Sequence, residues 1–227
     1  MDAKRPSSAL FGGTFDPFHN GHLRMAIEVK EALDISRVVL LPAHHPPHKP
    51  RQPVSGADHR FAMVSAAIAG LAGFEVSDRE IRREGPSYSL NTVREFCRAE
   101  PGVDWAFVMG ADSFGEISTW HRYEELLTAC DFVLLPRHGT PRKPVPPEGM
   151  RIEKEDPHCY SWTGESYRLP GGRMLYSPAL PALDISSRSI REKVRSGRCL
   201  RGLVPPEVEK YIAEHGLYLG TGEEGRS

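Results

Sequence analysis

Four stretches of this 227-residue chain are apolar without alternation: Ala9-Leu10-Phe11, Val38-Val39-Leu40-Leu41, Trp105-Ala106-Phe107-Val108-Met109 and Phe132-Val133-Leu134-Leu135. A strand with one wet face alternates apolar and polar residues, so an unbroken run describes a strand covered on both faces. Between these runs lie segments with apolar residues near helical spacing. Leu23, Ala26, Ile27 and Leu33 mark one over 22–33; Phe61, Val64, Ile68 and Leu71 mark a second; Leu90, Val93 and Cys97 point inward from a third over 89–98; 123–130 is a fourth. Strands separated by helices fold as βαβ units, which makes this an α/β chain with a doubly wound parallel sheet.

The first strand reads as Ser8 to Phe15, the second stops at Pro42, and Phe74-Glu75-Val76 is a short one. Strand character resumes at Met174-Leu175-Tyr176 and Leu183-Asp184-Ile185. Helices over 187–196 and from Pro205 to Gly216 then form a small C-terminal helical part, with proline at a first turn and glycine as a stop. Between Arg137 and Gly172 prolines and charges break the pattern, so 138–172 is expected to be an irregular insertion or lid. One domain is expected over 8–219, with 220–227 a flexible tail.

A net charge of −1, from 29 basic and 30 acidic residues, leaves no global basic field for nucleic acid or a membrane surface. No run of about eighteen apolar residues and no signal-peptide pattern occurs, so the cytoplasm is the expected location. Cys97, Cys130, Cys159 and Cys199 share no metal-site spacing and read as reduced thiols. Nothing in the pattern fixes an oligomeric state; a homo-oligomer is left open.

Chemistry enters where the first apolar run meets Gly12-Gly13-Thr14-Phe15-Asp16-Pro17-Phe18-His19-Asn20-Gly21-His22. Each part has a plain reading: a turn, a turn opener, a surface histidine. Together they say more. Glycines let backbone approach an anion, a helix N-terminus offers unpaired N–H groups, and His19 and His22 share one side of a helical turn. The stretch suits phosphates. It is not a P-loop, because no Gly-Lys dipeptide exists, and no G-x-G-x-x-G opens the helix. H-E-x-x-H is absent as well. His44, His45 and His48 are clustered, but the prolines between them speak against a metal site.

A second cluster, Ile185-Ser186-Ser187-Arg188-Ser189-Ile190-Arg191, opens a C-terminal helix. Capping accounts for one serine. It does not need two arginines, whose forked donors suit phosphate oxygens.

The two clusters together resemble the signatures of the nucleotidylyltransferase superfamily: H-x-G-H after G-G-T-F-D-P, and I-S-S-x-x-I-R near the C-terminus. Within it the chain is similar, from Leu10 to Tyr218, to bacterial nicotinate-nucleotide adenylyltransferases. Pro46-Pro47-His48-Lys49, Pro86-Ser87-Tyr88-Ser89, Gly110-Ala111-Asp112 with Trp120 following, Leu135-Pro136-Arg137, and Val204-Pro205 before Tyr211-Ile212 also match. The resemblance implies a Rossmann-like fold and transfer of AMP from ATP to nicotinate mononucleotide, with Mg²⁺ accompanying the ATP and few protein ligands on the metal.

It also implies roles. His19 and His22 would meet the ATP phosphates as the catalytic pair. Gly12, Gly13, Thr14 and Phe15 would line the cleft by backbone, beside Gly110. Asp112 would bind ribose, and Ser187 and Arg191, with Arg188 beside them, would hold ATP. Lys49 and Arg137 would approach the mononucleotide phosphate, Trp120 would stack on the pyridine, and backbone N–H groups near Ser89 and His121 would read its carboxylate. Trp120 as core, Asp112 as a helix cap, and Lys49 and Arg137 as solvated loop charges remain the plain alternatives. Many family members carry threonine and aspartate where this chain has Ser89 and Asn91, so no role is given to Asn91, and nothing transfers onto 138–172. Rival activities are adenylyl transfer to nicotinamide mononucleotide or to phosphopantetheine; the rival from another class is non-catalytic nucleotide binding.

Overall fold

The computed structural model describes residues 6–44, 54–136, 143–155, 163–181 and 183–219. The apolar runs become neighbouring strands of one sheet. β1 (Ser8–Gly13) pairs in parallel with β2 (Arg37–Pro42) on one side and β4 (Trp105–Gly110) on the other. β3 (Phe74–Val76) extends the sheet beyond β2; β5 (Asp131–Leu135) and β8 (Met174–Pro178) extend it beyond β4, all parallel. Core residues of β1, β2, β4 and β5 are buried on both faces, which is why they carry no alternation.

Helices cover the two faces and create two apolar layers. One holds α1 (Asn20–Ala32), α2 (Ala57–Ile68), α7 (Ser187–Arg195) and α8 (Pro206–Glu214), with Met25, Val29, Met63, Val64, Ile190, Val208 and Ile212 packed on Ala9, Phe11, Val38 and Leu40. The other holds α4 (Ser89–Ala99) and α6 (Tyr123–Ala129), with Leu90, Val93, Phe96 and Leu126 packed on Leu10, Phe107 and Phe132.

Several expectations need correction. The segment 138–172 is not simply irregular: its described part contains β6 (Glu153–Glu155) and β7 (Gly164–Arg168), paired antiparallel to each other, with β7 antiparallel to β8. The sheet order is β3-β2-β1-β4-β5-β8-β7-β6, so the doubly wound parallel sheet carries an antiparallel edge. These strands are short and polar, and Glu153, Lys154 and Glu155 give an edge no apolar signal. Leu183-Asp184-Ile185 is not a strand. Ile185 N–H donates to the Leu183 carbonyl at 2.9 Å, closing a tight turn ahead of α7. Leu71 lies beyond the end of α2 and is 38% exposed. β1 ends at Gly13, because Phe15 adopts a left-handed φ of 51°. Cys97 is only half-buried. The short α3 (Arg79–Arg82) and α5 (Ala111–Gly115) were not expected. The tail 220–227 lies outside the described residues, as does part of the 138–172 segment.

Consequently the order of strands reverses at β1 and β4. In such sheets the carboxyl ends of the two central strands diverge and leave a crevice. Gly12-Gly13 and Gly110 sit at those ends.

Candidate functional site

The turn between β1 and α1 is held by its own aromatic residues. Phe15 is 2% exposed, with its ring edge-on to Phe11 at 5.7 Å and to Phe18 at 5.3 Å. Burial on both sides keeps a phenylalanine in a backbone region that favours glycine. Gly13 is there for close approach: a Cβ would lie 2.5 Å from the Phe15 ring.

His19 is the N-cap of α1, with extended backbone, and its Nδ1 accepts from the His22 N–H at 3.3 Å. An accepting Nδ1 carries no proton, so the neutral ring bears its hydrogen on Nε2. The His19 and His22 rings stack at 3.6 Å and 19°. Phe18 also stacks on His22, at 5.4 Å, and Phe15 meets it edge-on at 5.0 Å. The imidazoles therefore form one block at the head of a helix. Gly21 is a spacing requirement of that block, since a Cβ would stand 3.0 Å from His19 Nδ1.

The C-terminal serine-arginine cluster lies against this turn. Ser186 caps α7, accepting from Ser189 N–H at 3.2 Å. Ser187 Oγ donates to the Pro17 carbonyl at 3.0 Å, and Arg191 donates to the Asp16 carbonyl at 2.6 Å. Two residues expected to hold nucleotide thus bind the turn that would hold it, while Arg188 is exposed beside them. Gly110 is the N-cap of α5 and Asp112 lies exposed in its first turn, so Asp112 is not that helix's cap.

A pocket opens on the other layer, lined by Ser87, Tyr88, Ser89, Leu90, Trp120, His121 and Leu126; together with its open mouth it encloses about 300 Å³. Tyr88 and His121 stack at 4.2 Å and 19° across it. Trp120 is half-buried, edge-on to Phe107 at 6.3 Å, so it is both a core neighbour and a wall of the pocket. Ser89 is the first residue of α4, and the first N–H groups of a helix have no intrahelical partner. Phe107 joins the two halves: its ring also lies 3.6 Å from where a Cβ on Gly12 would be.

Sequence reasoning gave no role to the groups behind these surfaces. Arg60, 1% exposed, donates to the carbonyls of Ser55 at 2.9 Å, Thr14 at 2.9 Å and His44 at 3.4 Å, and so ties three loops together. Burial lowers its pKa, against the attraction of Asp16. Glu80, also buried, accepts from Thr92 Oγ1 at 2.7 Å. Burial pushes its carboxyl up, opposed by hydrogen bonds from Thr92 and Ser87 and by the Arg83 guanidinium. Ser87 Oγ accepts from His44 N–H at 3.0 Å. Tyr88 belongs to the Pro86–Ser89 stretch, but its stacking on His121, 33 positions away, leaves no signal in the sequence. Lys49 and Arg137, like His45 and His48, lie outside the described residues.

The pattern of the chain matches known proteins over most of its length. Residues 10–193 match the model of the cytidylyltransferase-like family. A probable nicotinate-nucleotide adenylyltransferase of Geotalea daltonii is 39% identical over 92% of this chain and 96% of its own. One from Marinobacter nauticus is 39% identical over 96% and 99%. Among solved structures, a Plasmodium falciparum nicotinic acid mononucleotide adenylyltransferase complexed with NaAD superposes with a TM-score of 0.69 at 16% identity, covering 93% of this chain and 96% of that one. That likeness concerns the fold; the sequence relatives carry the assignment. With stacked H-x-G-H imidazoles at the switch point of its sheet and relatives of this kind along nearly its whole length, the chain belongs to the nicotinate-nucleotide adenylyltransferases of the cytidylyltransferase-like family.

Proposed function

We propose that this protein transfers the adenylyl group of ATP to nicotinate mononucleotide, giving deamido-NAD and pyrophosphate. The observation that carries the reading is the His19–His22 stack at the head of α1, beside the crevice between β1 and β4. The reaction needs little proton chemistry, because a phosphate monoester with a second pKa of about 6 is largely dianionic at neutral pH. Its oxygen attacks the α-phosphorus of ATP, the new P–O bond forms, and the bond to the bridging oxygen breaks in line as pyrophosphate leaves. The task is to bring two anions together and to stabilise the charge that builds on the triphosphate.

His19 supplies an Nε2–H donor fixed by its own cap bond, and His22 stands one ring away. Arg188 adds a cation at the same end, with Ser187 and Arg191 holding the turn and the nucleotide side. Gly110 and Asp112 border the crevice from β4, where Asp112 meets the ribose. The Tyr88, Ser89, Trp120 and His121 pocket takes the pyridine ring, and backbone N–H groups at the start of α4 face its carboxylate.

Members of such families use a divalent metal with ATP, and Mg²⁺ is the one we propose. Among the described residues no three acidic, histidine or cysteine groups converge to hold a metal ion. The donor set fits a cation carried mainly by phosphate oxygens and water, where it would neutralise charge on the leaving pyrophosphate.

Incubating the protein with ATP, Mg²⁺ and one acceptor, and following pyrophosphate release, tests this. We expect turnover with nicotinate mononucleotide and much less with the amide, which presents a donor where donors point. Turnover with no acceptor among the nicotinate, nicotinamide and phosphopantetheine substrates abolishes the assignment. Preference for the amide reverses the acid specificity.

A further inference from the structure

Asp16 lies within the phosphate turn, three residues before His19, yet its side chain is only 4% exposed. Its partners come from elsewhere in the chain. Tyr218 Oη donates to Oδ1 at 2.7 Å across 202 residues of sequence, and Ser55 N–H reaches Oδ2 at 3.4 Å. Arg191 donates to the Asp16 carbonyl and lies 3.8 Å from Oδ2. Other C-terminal contacts fall on the same few residues. Asn20 N–H donates to the Leu203 carbonyl at 2.9 Å, Asn20 Nδ2 donates to the Gly202 carbonyl at 2.9 Å, and Ser187 Oγ donates to the Pro17 carbonyl. The end of the chain is thus wrapped onto residues 16–20.

We propose that Tyr218 is a positioning residue for adenylyl transfer: by its hydrogen bond to Asp16 it fixes the turn that aims His19 and His22 at the triphosphate. This rests on the function proposed above. A loop between a strand and a helix is ordinarily mobile, and here it must hold two rings in register for an in-line displacement. A buried carboxylate that loses a donor is costly, so the turn relaxes rather than keep it. Tyr218 is suited to the role. Its ring packs on the apolar layer of α2 and α8, and its backbone sits at a left-handed φ of 66°, a conformation the surroundings must hold. Burial first, and then the neighbouring Asp16 carboxylate, keep the phenol well above the ordinary tyrosine value, so the hydroxyl remains a donor wherever the enzyme works.

Tyr218→Phe keeps the ring and removes one donor. Asp16→Asn and the double variant complete a cycle. Kinetics with ATP and nicotinate mononucleotide are compared with imidazole ¹⁵N resonances of His19 and His22 in the ligand-free protein. We expect Tyr218→Phe to lower kcat about tenfold or more with KM for the mononucleotide within about twofold. The double variant loses no more than Asp16→Asn alone, and both imidazoles shift. A kcat within about twofold of the parent, losses that multiply in the double variant, or unmoved imidazole resonances beside a lower Tm would each overturn the proposal. Should Asp16→Asn fail to fold, Tyr218→Phe decides alone. Should the parent release no pyrophosphate, the proposed function fails, and the imidazole resonances still decide whether Tyr218 sets the turn.

Discussion

At the level of single residues, the two histidines do different work although the motif makes them look alike. His19 is buried and caps α1; His22 is only half-buried, and its backbone N–H donates to the His19 cap. Replacing either by alanine removes a ring that faces the proposed triphosphate, so kcat should fall about a hundredfold or more in both, with little change in KM for the mononucleotide. Stability should separate them. His19→Ala also deletes the cap bond, worth about 1 kcal/mol, and should unfold at lower temperature than His22→Ala. Equal thermal unfolding of the two variants would contradict the capping role, and full activity of His22→Ala would contradict the pair. These residues were legible because the motif is contiguous: glycine, turn, cap and helix follow one another within eleven positions, Gly12 to His22. Arg60, Tyr88 and Tyr218 were not, because their partners are distant in sequence. Arg60 reaches Thr14 across 46 residues and Tyr218 reaches Asp16 across 202, distances over which one sequence carries no pairing signal. Arg191 was legible as a cation, but not as a donor to the Asp16 carbonyl.

Elements were readable in proportion to how much apolar surface they bury. β1, β2, β4 and β5 announce themselves because both faces are covered, and α1 and α4 because one stripe is. The β6–β7 pair is held by ladder hydrogen bonds and exposed charges, such as Lys154 with Glu165 at 2.7 Å and Arg168 with Glu155 at 2.6 Å, which leave no hydrophobic period to find. α3 is too short for a pattern, yet it supplies Glu80, the buried group behind α4. Burial raises the Glu80 carboxyl above the ordinary range, so between that range and its raised value the folded chain binds more protons than the unfolded one. This contribution to stability is therefore complete at low pH and lost as pH rises through the folded value. Glu80→Gln cannot titrate and keeps an acceptor for Thr92. Its Tm relative to the parent should climb as pH rises from about 4.3, the ordinary glutamate value, through the raised folded value. A Tm difference that stays constant across that window would show that Glu80 is not the titrating group. Asp131, raised by burial and held by Met174 N–H at 3.0 Å, is present in both proteins and cancels in the comparison.

For the molecule as a whole, the sheet order decides where a nucleotide can tie the chain together. The candidate site takes backbone from the end of β1, the end of β4 and the start of α7, elements far apart in sequence. A ligand bridging all three binds only the assembled fold, so unfolding must release it. Stabilisation by such a ligand follows its saturation, about 2.7 kcal/mol at a free concentration of a hundred times Kd. In a chain of this length each kcal/mol moves Tm by about 2–4 °C. A non-hydrolysable ATP analogue with Mg²⁺ should then raise the unfolding temperature by about 5–10 °C at that saturation. Under the proposed assignment nicotinate mononucleotide takes the pocket of α4 and the Trp120 loop, both on one layer, and is expected to raise Tm in its own right. The two together test the shared wall. Phe107 touches both halves, so acceptor and nucleotide should raise Tm together by at least the sum of their separate shifts. A combined shift barely larger than the greater of the two single shifts would mean that the two compete for one space, and the crevice and the pocket would then not be two halves of a single active site.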